Sequence, residues 1–303
     1  MNSKIIEKVQ KIIDLRKYQA ENEAIQNKIK ALENKEFKNI FSLYMDKMLD
    51  EVKQGKKISK ETVLLKNNVD KKLKELNLFP IEPHYYCSKC NDTGIINGQY
   101  CDCFKKELNK ILVKESGFNK LEDFDKISLD IFGKQKEQIK KLYEKMKDWC
   151  NSNFNKKLII LGGETGVGKT FLMKCMANEL IKLNKVVTLT TSFAMNQDFL
   201  KSYATRDIEE KDTLLDKYLD SEILFIDDLG TELRKPGITV KYLYLILNER
   251  MINNRPTVIT TNLKLEDIND YYDERIASRI GNKETSVCIY LTGEDLRRKN
   301  DIK

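Results

Sequence analysis

Eight residues constrain this chain more than any others: Gly163-Glu164-Thr165-Gly166-Val167-Gly168-Lys169-Thr170. They follow the apolar run Leu158-Ile159-Ile160-Leu161 and open a helical stretch, FLMKCMANELIKL, that begins at Phe171. A strand, a glycine-rich loop and a helix in that order make a phosphate cradle. Glycine lets successive backbone N–H groups turn inward around phosphate oxygens, and the helix presents its N-terminus to the anion. Residues 163–171 are therefore the expected nucleotide contacts. Lys169 is placed to reach the β- and γ-phosphates, and the Thr170 hydroxyl to hold Mg²⁺.

The surrounding texture agrees with such a loop. From residue 157 onward, short apolar runs alternate with helical patterns. The runs are Lys157–Leu161, Lys185–Thr190, Glu222–Ile226, Thr257–Thr261 and Val287–Leu291. Strands alternating with helices indicate an α/β fold, here with a five-stranded parallel sheet. One run, ILFI, ends in Asp227 and Asp228. Carboxylates at the C-terminal end of a sheet strand sit where sheet ligands bind. Asp227 is expected to support Mg²⁺, and Asp228 to orient or deprotonate an attacking water. Asn262 follows the strand VITT and offers a polar tip for the γ-phosphate or its water.

Four of seven cysteines fall within a short stretch, as Cys87-x-x-Cys90 and Cys101-x-Cys103. Two closely spaced thiolate pairs can close a tetrahedral S₄ site, which suits Zn²⁺. The turn formers between them, Asn91 to Gly94 and Asn97-Gly98, suggest a hairpin that unites the pairs. His84, the one histidine, lies three residues before Cys87 and is a rival ligand. With no open position or nearby base evident, the metal reads as structural. An odd cysteine count in this arrangement points to a reducing, cytoplasmic compartment rather than a secreted disulfide scaffold. Cys150, Cys175 and Cys288 lie among apolar neighbours and are expected to be buried.

Ahead of the cysteines the chain is Lys/Glu-rich with apolar residues at helical spacing, as in Ile5, Val9, Ile12 and Ile13. Gly55 interrupts this pattern, and two or three helices are expected up to Leu78. Pro80 and Pro83 then form a stiff break. The domain reading is a helical, partner-binding region at 1–78, a zinc module at 79–104, a helical linker at 105–135 and an ATP-binding domain at 136–303. Residues 1–86 hold 18 Lys/Arg against 13 Asp/Glu, most of the chain's formal charge of +7. That excess allows an anionic partner or a solvated lysine-rich surface. No apolar run approaches the ~18 residues of a membrane span, and the first residues lack the pattern of a secretory signal.

Taken together, GETGVGKT, ILFIDDLG and YLILNERMINNRPTVITTNL resemble the AAA+ ATPases. Within these the chain is similar to helicase loaders of the DnaC/DnaI type and to the related transposition helper IstB, over residues 80–303. The cysteine segment resembles the zinc module of the DnaI-type loaders. The resemblance implies a sheet in which the Asn262 strand lies between the strands of Lys169 and Asp227. It implies a slow ATPase that hydrolyses ATP between subunits. Arg279 in ERIASRI matches the arginine finger, with Arg275 as its rival. Arg297 in GEDLR matches the sensor position, with Arg298 as its rival. The implied partners are a replicative hexameric DNA helicase, single-stranded DNA, and further copies assembling alone or on the helicase. In the resembled family the segment SFAMNQDFLKSYATR, residues 192–206, faces single-stranded DNA. Its Phe193, Phe199 and Tyr203 are equally readable as helix core. Two features depart from the pattern. Asp228 stands where many AAA+ proteins have Glu, and about a dozen residues follow the last strand, which implies a truncated lid. The rival functions are the IstB-type helper and a nucleotide-gated adaptor with vestigial hydrolysis.

Overall fold

The structure, a computed structural model, describes residues 3–118, 120–126 and 128–296. The described chain forms two compact units. One comprises Gln10–Cys103, and the other comprises the residues before Gln10 together with those from Phe104 onward.

The larger unit is built on a parallel sheet. Its strands are β3 (Leu158–Gly163), β4 (Val187–Thr191), β5 (Ile223–Leu229), β6 (Thr257–Thr261) and β7 (Ser286–Leu291). They lie side by side in the order β4-β5-β6-β3-β7. The β6 strand thus separates β5 from β3, as the AAA+ resemblance implied. Register places Leu161 beside Thr260 and Thr261 beside Leu229, so the C-terminal ends of β3, β6 and β5 lie side by side.

The strands read as continuous apolar runs because both faces of the sheet are covered. Along β3, Ile159 and Leu161 join one core and Leu158 and Ile160 the other. The first core includes residues of α5 (Lys136–Cys150) and α6 (Lys169–Lys182). The second includes residues of α7 (Ser192–Ala204), α8 (Ile208–Asp220), α9 (Thr239–Ile252) and α11 (Glu274–Gly281). The short helix α10 (Leu265–Tyr271) precedes α11. Strand β7 pairs with β3 alone and alternates in burial. This corrects the expectation for Cys288, which is exposed because an edge strand turns alternate residues to solvent, whereas Cys150 and Cys175 are buried. Within this unit, the described part of 104–135 carries most of the helix α4 (Asp102–Glu115) and two 3₁₀ turns. Its Phe118 and Phe132 belong to the first core.

The smaller unit holds most of α1 (Ser3–Glu33), then α2 (Lys35–Lys53) and α3 (Lys60–Glu75). Local chemistry sets the helix starts. The Asn34 side chain accepts from the Phe37 amide at 3.0 Å, and the Ser59 hydroxyl from the Thr62 amide at 3.3 Å. Gly55, at φ 61°, lets the chain leave α2. A small core gathers Ala31, Phe37, Val69 and Leu73. The hairpin of β1 (Ile95–Ile96) and β2 (Gln99–Tyr100) follows, and its turn residues Asn97 and Gly98 both take positive φ.

Candidate nucleotide site and cysteine cluster

The glycine loop leaves β3 at Gly163, whose φ of 139° places a hypothetical Cβ 2.2 Å from the Leu291 carbonyl oxygen. Gly166, at φ 84°, would drive a Cβ to 1.9 Å from the Asp295 carboxylate. No side chain fits at either position, so the loop keeps a shape that exposes its backbone to a ligand. Gly168 caps α6, and Lys169 and Thr170 form that helix's first turn.

Lys169 is buried, and its ammonium donates to the carbonyls of Gly163 and Glu164 at 2.7 and 2.6 Å. It also donates to Asn262 Oδ1 at 2.7 Å. The two residues are 93 positions apart in the chain and meet because β6 lies next to β3. Asp227 accepts from the Thr170 hydroxyl at 2.9 Å and from the Thr260 hydroxyl at 2.5 Å. Burial raises the Asp227 carboxyl above the ordinary aspartate range, and the Asp228 charge adds to this against the two threonine donors.

Asp228 is held differently. The ladder between β5 and β6 shifts register between Ile226 and Leu229, and Asp228 takes φ 55° within that bulge. A bulge re-aims a side chain that a regular strand would send to the sheet face. Both peptide groups of Asp228 are pinned. Its amide donates to Thr260 Oγ1 at 2.8 Å, and its carbonyl accepts from the hydroxyls of Ser192 at 2.7 Å and Thr231 at 2.8 Å.

These groups surround a cavity of about 420 Å³. Its polar lining comes from Thr165, Gly166, Gly168, Lys169, Thr170, Asp228 and Asn262. Its apolar lining comes from Ile131, Phe132, Phe171 and Leu296. The volume and mixed lining suit a nucleotide, with phosphates on the loop and a base against the apolar side. Thr170 and Asp227 present two oxygens at hydrogen-bond distance, a donor set suited to a hard divalent cation such as Mg²⁺. Val167 is a core residue instead.

Arg279 is not brought to this cavity. It lies on α11, where its guanidinium donates to Asn248 Oδ1 at 2.9 Å and sits 5.7 Å from the Tyr244 ring centroid. Arg275 is exposed, pairs with Asp273 at 2.8 Å and lies 4.9 Å from the same ring. Arg297 and Arg298 fall outside the described residues. Sequence reasoning missed Ile131, Phe132, Thr260, Ser192 and Leu296. The apolar pair Ile131-Phe132 just before α5 was a weak signal for the base side. Nothing in the sequence pointed to the two hydroxyls.

The segment at 192–206 divides cleanly. Phe199 is buried and stacks on Tyr242 with centroids 5.4 Å apart. Phe193 and Tyr203 are 53% and 65% exposed, on a helix that also exposes Lys201.

In the smaller unit, the sulfurs of Cys87, Cys90, Cys101 and Cys103 all lie within 4.8 Å of one another. Cys87 and Cys101 are 3.8 Å apart, and Cys90 and Cys103 are 3.4 Å apart. A tetrahedron of sulfurs about 2.3 Å from zinc has edges of about 3.8 Å, so the set fits that ion. Burial pushes the Cys90 thiol up, but the Gly94 amide and the neighbouring sulfurs outweigh it and bring it down to about 7. The buried Asp92 carboxylate accepts from the Tyr86 and Cys87 amides, both at 2.8 Å, and so fixes the first knuckle. Among the described residues, His84 is not part of this group.

Comparison with known proteins places these features. Residues 121–284 match the family model for the bacterial DnaA ATPase domain. YqaM of Bacillus subtilis strain 168 is 28% identical over 210 residues, covering 65% of this chain and 64% of that protein. This chain therefore spans slightly under two thirds of YqaM. The phage-like element PBSX protein XkdC of the same organism is 29% identical over 232 residues, covering 69% of this chain and 83% of its own. The replicative helicase loader DnaI of Bacillus subtilis is 22% identical over 244 residues, covering 70% of this chain and 75% of its own.

Proposed function

The chain belongs to the bacterial DnaA ATPase-domain family of AAA+ proteins, and on that premise we propose that it loads a replicative DNA helicase onto single-stranded DNA in an ATP-driven cycle. Nucleotide hydrolysis is general to AAA+ ATPase domains. The observation that carries the hydrolytic reading is that Lys169, Asn262 and Asp228 line one cavity, with Asp227 bonded to the lining residue Thr170.

The chemistry follows from that arrangement. Phosphate oxygens replace the loop carbonyls as acceptors for Lys169, which neutralises charge at the β- and γ-positions. Thr170 and Asp227 would hold Mg²⁺, which when bound would offset phosphate charge. Asp228 and Asn262 orient a water in line with the γ-phosphorus, and Asp228 takes its proton as the new P–O bond forms. The bond to the β-phosphate oxygen breaks, releasing ADP and phosphate. Arg279 acts on a neighbouring copy's γ-phosphate, so turnover by the isolated chain is slow. The exposed Phe193, Tyr203 and Lys201 of α7 stack and neutralise single-stranded DNA.

Similarity to DnaI and the four-sulfur module ahead of the ATPase unit support the loader reading over a transposition helper. The zinc module and helical region grip the helicase, and the ATPase units assemble on it. Co-purification from the native cell with ATP present tests this. Recovery of a hexameric helicase is the expected result, and recovery of a transposase without helicase would overturn it.

A further inference from the structure

Glu232 lies in the loop between β5 and α9, shortly after the strand end that carries Asp227 and Asp228. A loop glutamate is ordinarily solvated, yet this one is 4% exposed. Burying a carboxylate is costly unless donors face it, and two do. One oxygen accepts from the Gly230 amide at 3.0 Å, and the other accepts from the Tyr272 hydroxyl. Glu232 does not line the cavity beside Lys169.

The two donors belong to different parts of the unit. Gly230 sits in the turn that leaves Asp228, with φ 101° against 55° at Asp228. The Thr231 amide closes that turn by donating to the Asp228 carbonyl at 3.2 Å. Tyr272 sits where α10 ends, one residue ahead of Asp273. The Asp273 carboxylate starts α11 by accepting from the Ile276 amide at 2.9 Å. Tyr271 reinforces the same joint. Its hydroxyl donates to the Glu232 carbonyl at 3.4 Å, and its ring packs on that of Tyr272 with centroids 4.9 Å apart. Helix α11 carries Arg279. One side chain therefore touches both the turn that aims Asp228 and the joint from which α11 starts.

The chemistry there suits a carboxylate. It only accepts, so both groups that face it must donate, whereas an amide would turn an N–H against one of them. Gly230 N–H is thereby fixed toward Glu232, and the Asp228 carbonyl is left to Ser192 and Thr231. Bonds to a charged acceptor are also stronger than neutral ones. Burial, and then the Glu232 charge, push the Tyr272 phenol above its ordinary range, so it stays a donor.

We infer that Glu232 is a positioning residue for hydrolysis: it holds the Gly230 turn that aims Asp228 and, through Tyr272, fixes the start of the helix bearing Arg279. The inference rests on the hydrolytic reading and adds two residues to it. The acid that serves a chain's own site and the guanidinium offered to the next copy are then set by one pair of buried bonds.

The test measures ATP hydrolysis by the full chain with magnesium, at steady state and in single turnover, alongside calorimetric nucleotide affinity. It compares wild type, Glu232→Gln, Tyr272→Phe and Tyr218→Phe. The last removes a hydroxyl from another buried acid contact, that to Asp198, in the same core. It measures what loss of such a bond does through stability alone, and circular dichroism confirms that each variant is folded. Glu232→Gln and Tyr272→Phe should each lower kcat by about fivefold or more, with affinity for magnesium-bound ATP within about twofold. Tyr218→Phe should change neither quantity. The tie to α11 is read by mixing. Chains with Lys169→Ala can lend only Arg279, so adding them to wild type should sustain more turnover than adding chains with both Lys169→Ala and Tyr272→Phe. Wild-type kcat in Glu232→Gln and Tyr272→Phe, or an equal fall in Tyr218→Phe, would overturn the positioning role. Equal turnover in the two mixtures would overturn the tie to α11. A wild type that binds ATP but never hydrolyses it would overturn the hydrolytic reading, and this role with it.

Discussion

The Ser192 hydroxyl donates to the Asp228 carbonyl at 2.7 Å, tying the first residue of α7 to the acid that lines the cavity beside Lys169. Asp228 sits at positive φ within a bulge, so its direction depends on such anchors. Ser192→Ala removes one of the two hydroxyl donors on that carbonyl, the other being Thr231. The expected outcome is a fall in kcat for ATP hydrolysis of about fivefold to tenfold, from about 1–1.4 kcal/mol of lost positioning. Affinity for magnesium-bound ATP should stay within about twofold. Steady-state turnover and calorimetric titration separate the two quantities.

On the proposed function, Lys169 is the cation through which the loop would hold phosphate. Lys169→Ala should abolish the calorimetric signal for ATP binding at micromolar nucleotide. The fold should persist, because the lost contacts are to loop carbonyls and Asn262. Unchanged binding by this variant would remove the basis for the site.

Asp227 links function to stability. Burial raises its carboxyl above the usual range, so the unfolded chain ionises it more readily than the folded one. The stability tied to this group is full below the unfolded pKa of about 3.9 and is lost as pH rises through the higher folded value. Asp227→Asn removes that loss and keeps an oxygen to accept from Thr170 and Thr260. Nucleotide-free protein carrying it should melt a few degrees above wild type near neutral pH, with the gap closing toward about pH 4. Hydrolysis should fall sharply, since a neutral amide is a poor magnesium ligand. Thermal melts across pH, paired with turnover assays, check both halves.

The cysteine cluster should hold about one zinc per chain by elemental analysis. Cys90→Ser should lose most of it, and chelation should lower the helical and tertiary circular dichroism signals as the knuckles open. Protein purified without metal, yet unaffected by chelator, would refute this.

The three aromatic residues of α7 should respond differently. Phe193→Ala and Tyr203→Ala should leave stability nearly unchanged and weaken single-stranded DNA binding, each by about 1–3 kcal/mol if a base stacks there. Phe199→Ala should cost about 3–5 kcal/mol of stability, because its ring is buried against Tyr242 and Tyr218. Denaturant unfolding and DNA titrations across salt distinguish the two classes.

Local pattern was enough to read the glycine loop between β3 and α6, the five strands and the two cysteine pairs that meet. Each is written within a few consecutive residues whose chemistry depends little on the rest of the chain. Glycine spacing dictates a loop, continuous β-branched runs dictate a doubly covered strand, and paired thiols dictate a metal geometry. The Thr257–Thr261 strand was legible to the residue. The edge strand β7 was read as a strand, but the exposure of Cys288 on it was not. Burial depends on what lies beside a strand, and sequence does not state its neighbours.

What only the tertiary structure decided is where distant hydroxyls and rings come to rest. Thr260 and Ser192 meet Asp227 and Asp228 because strands far apart in sequence lie adjacent in the sheet. Ile131 and Phe132, in a stretch that reads as linker, line the cavity. Sequence alone determined which chemical parts this protein has, because each part is local. Folding determined which parts touch, because contact follows from packing between segments the chain itself does not order.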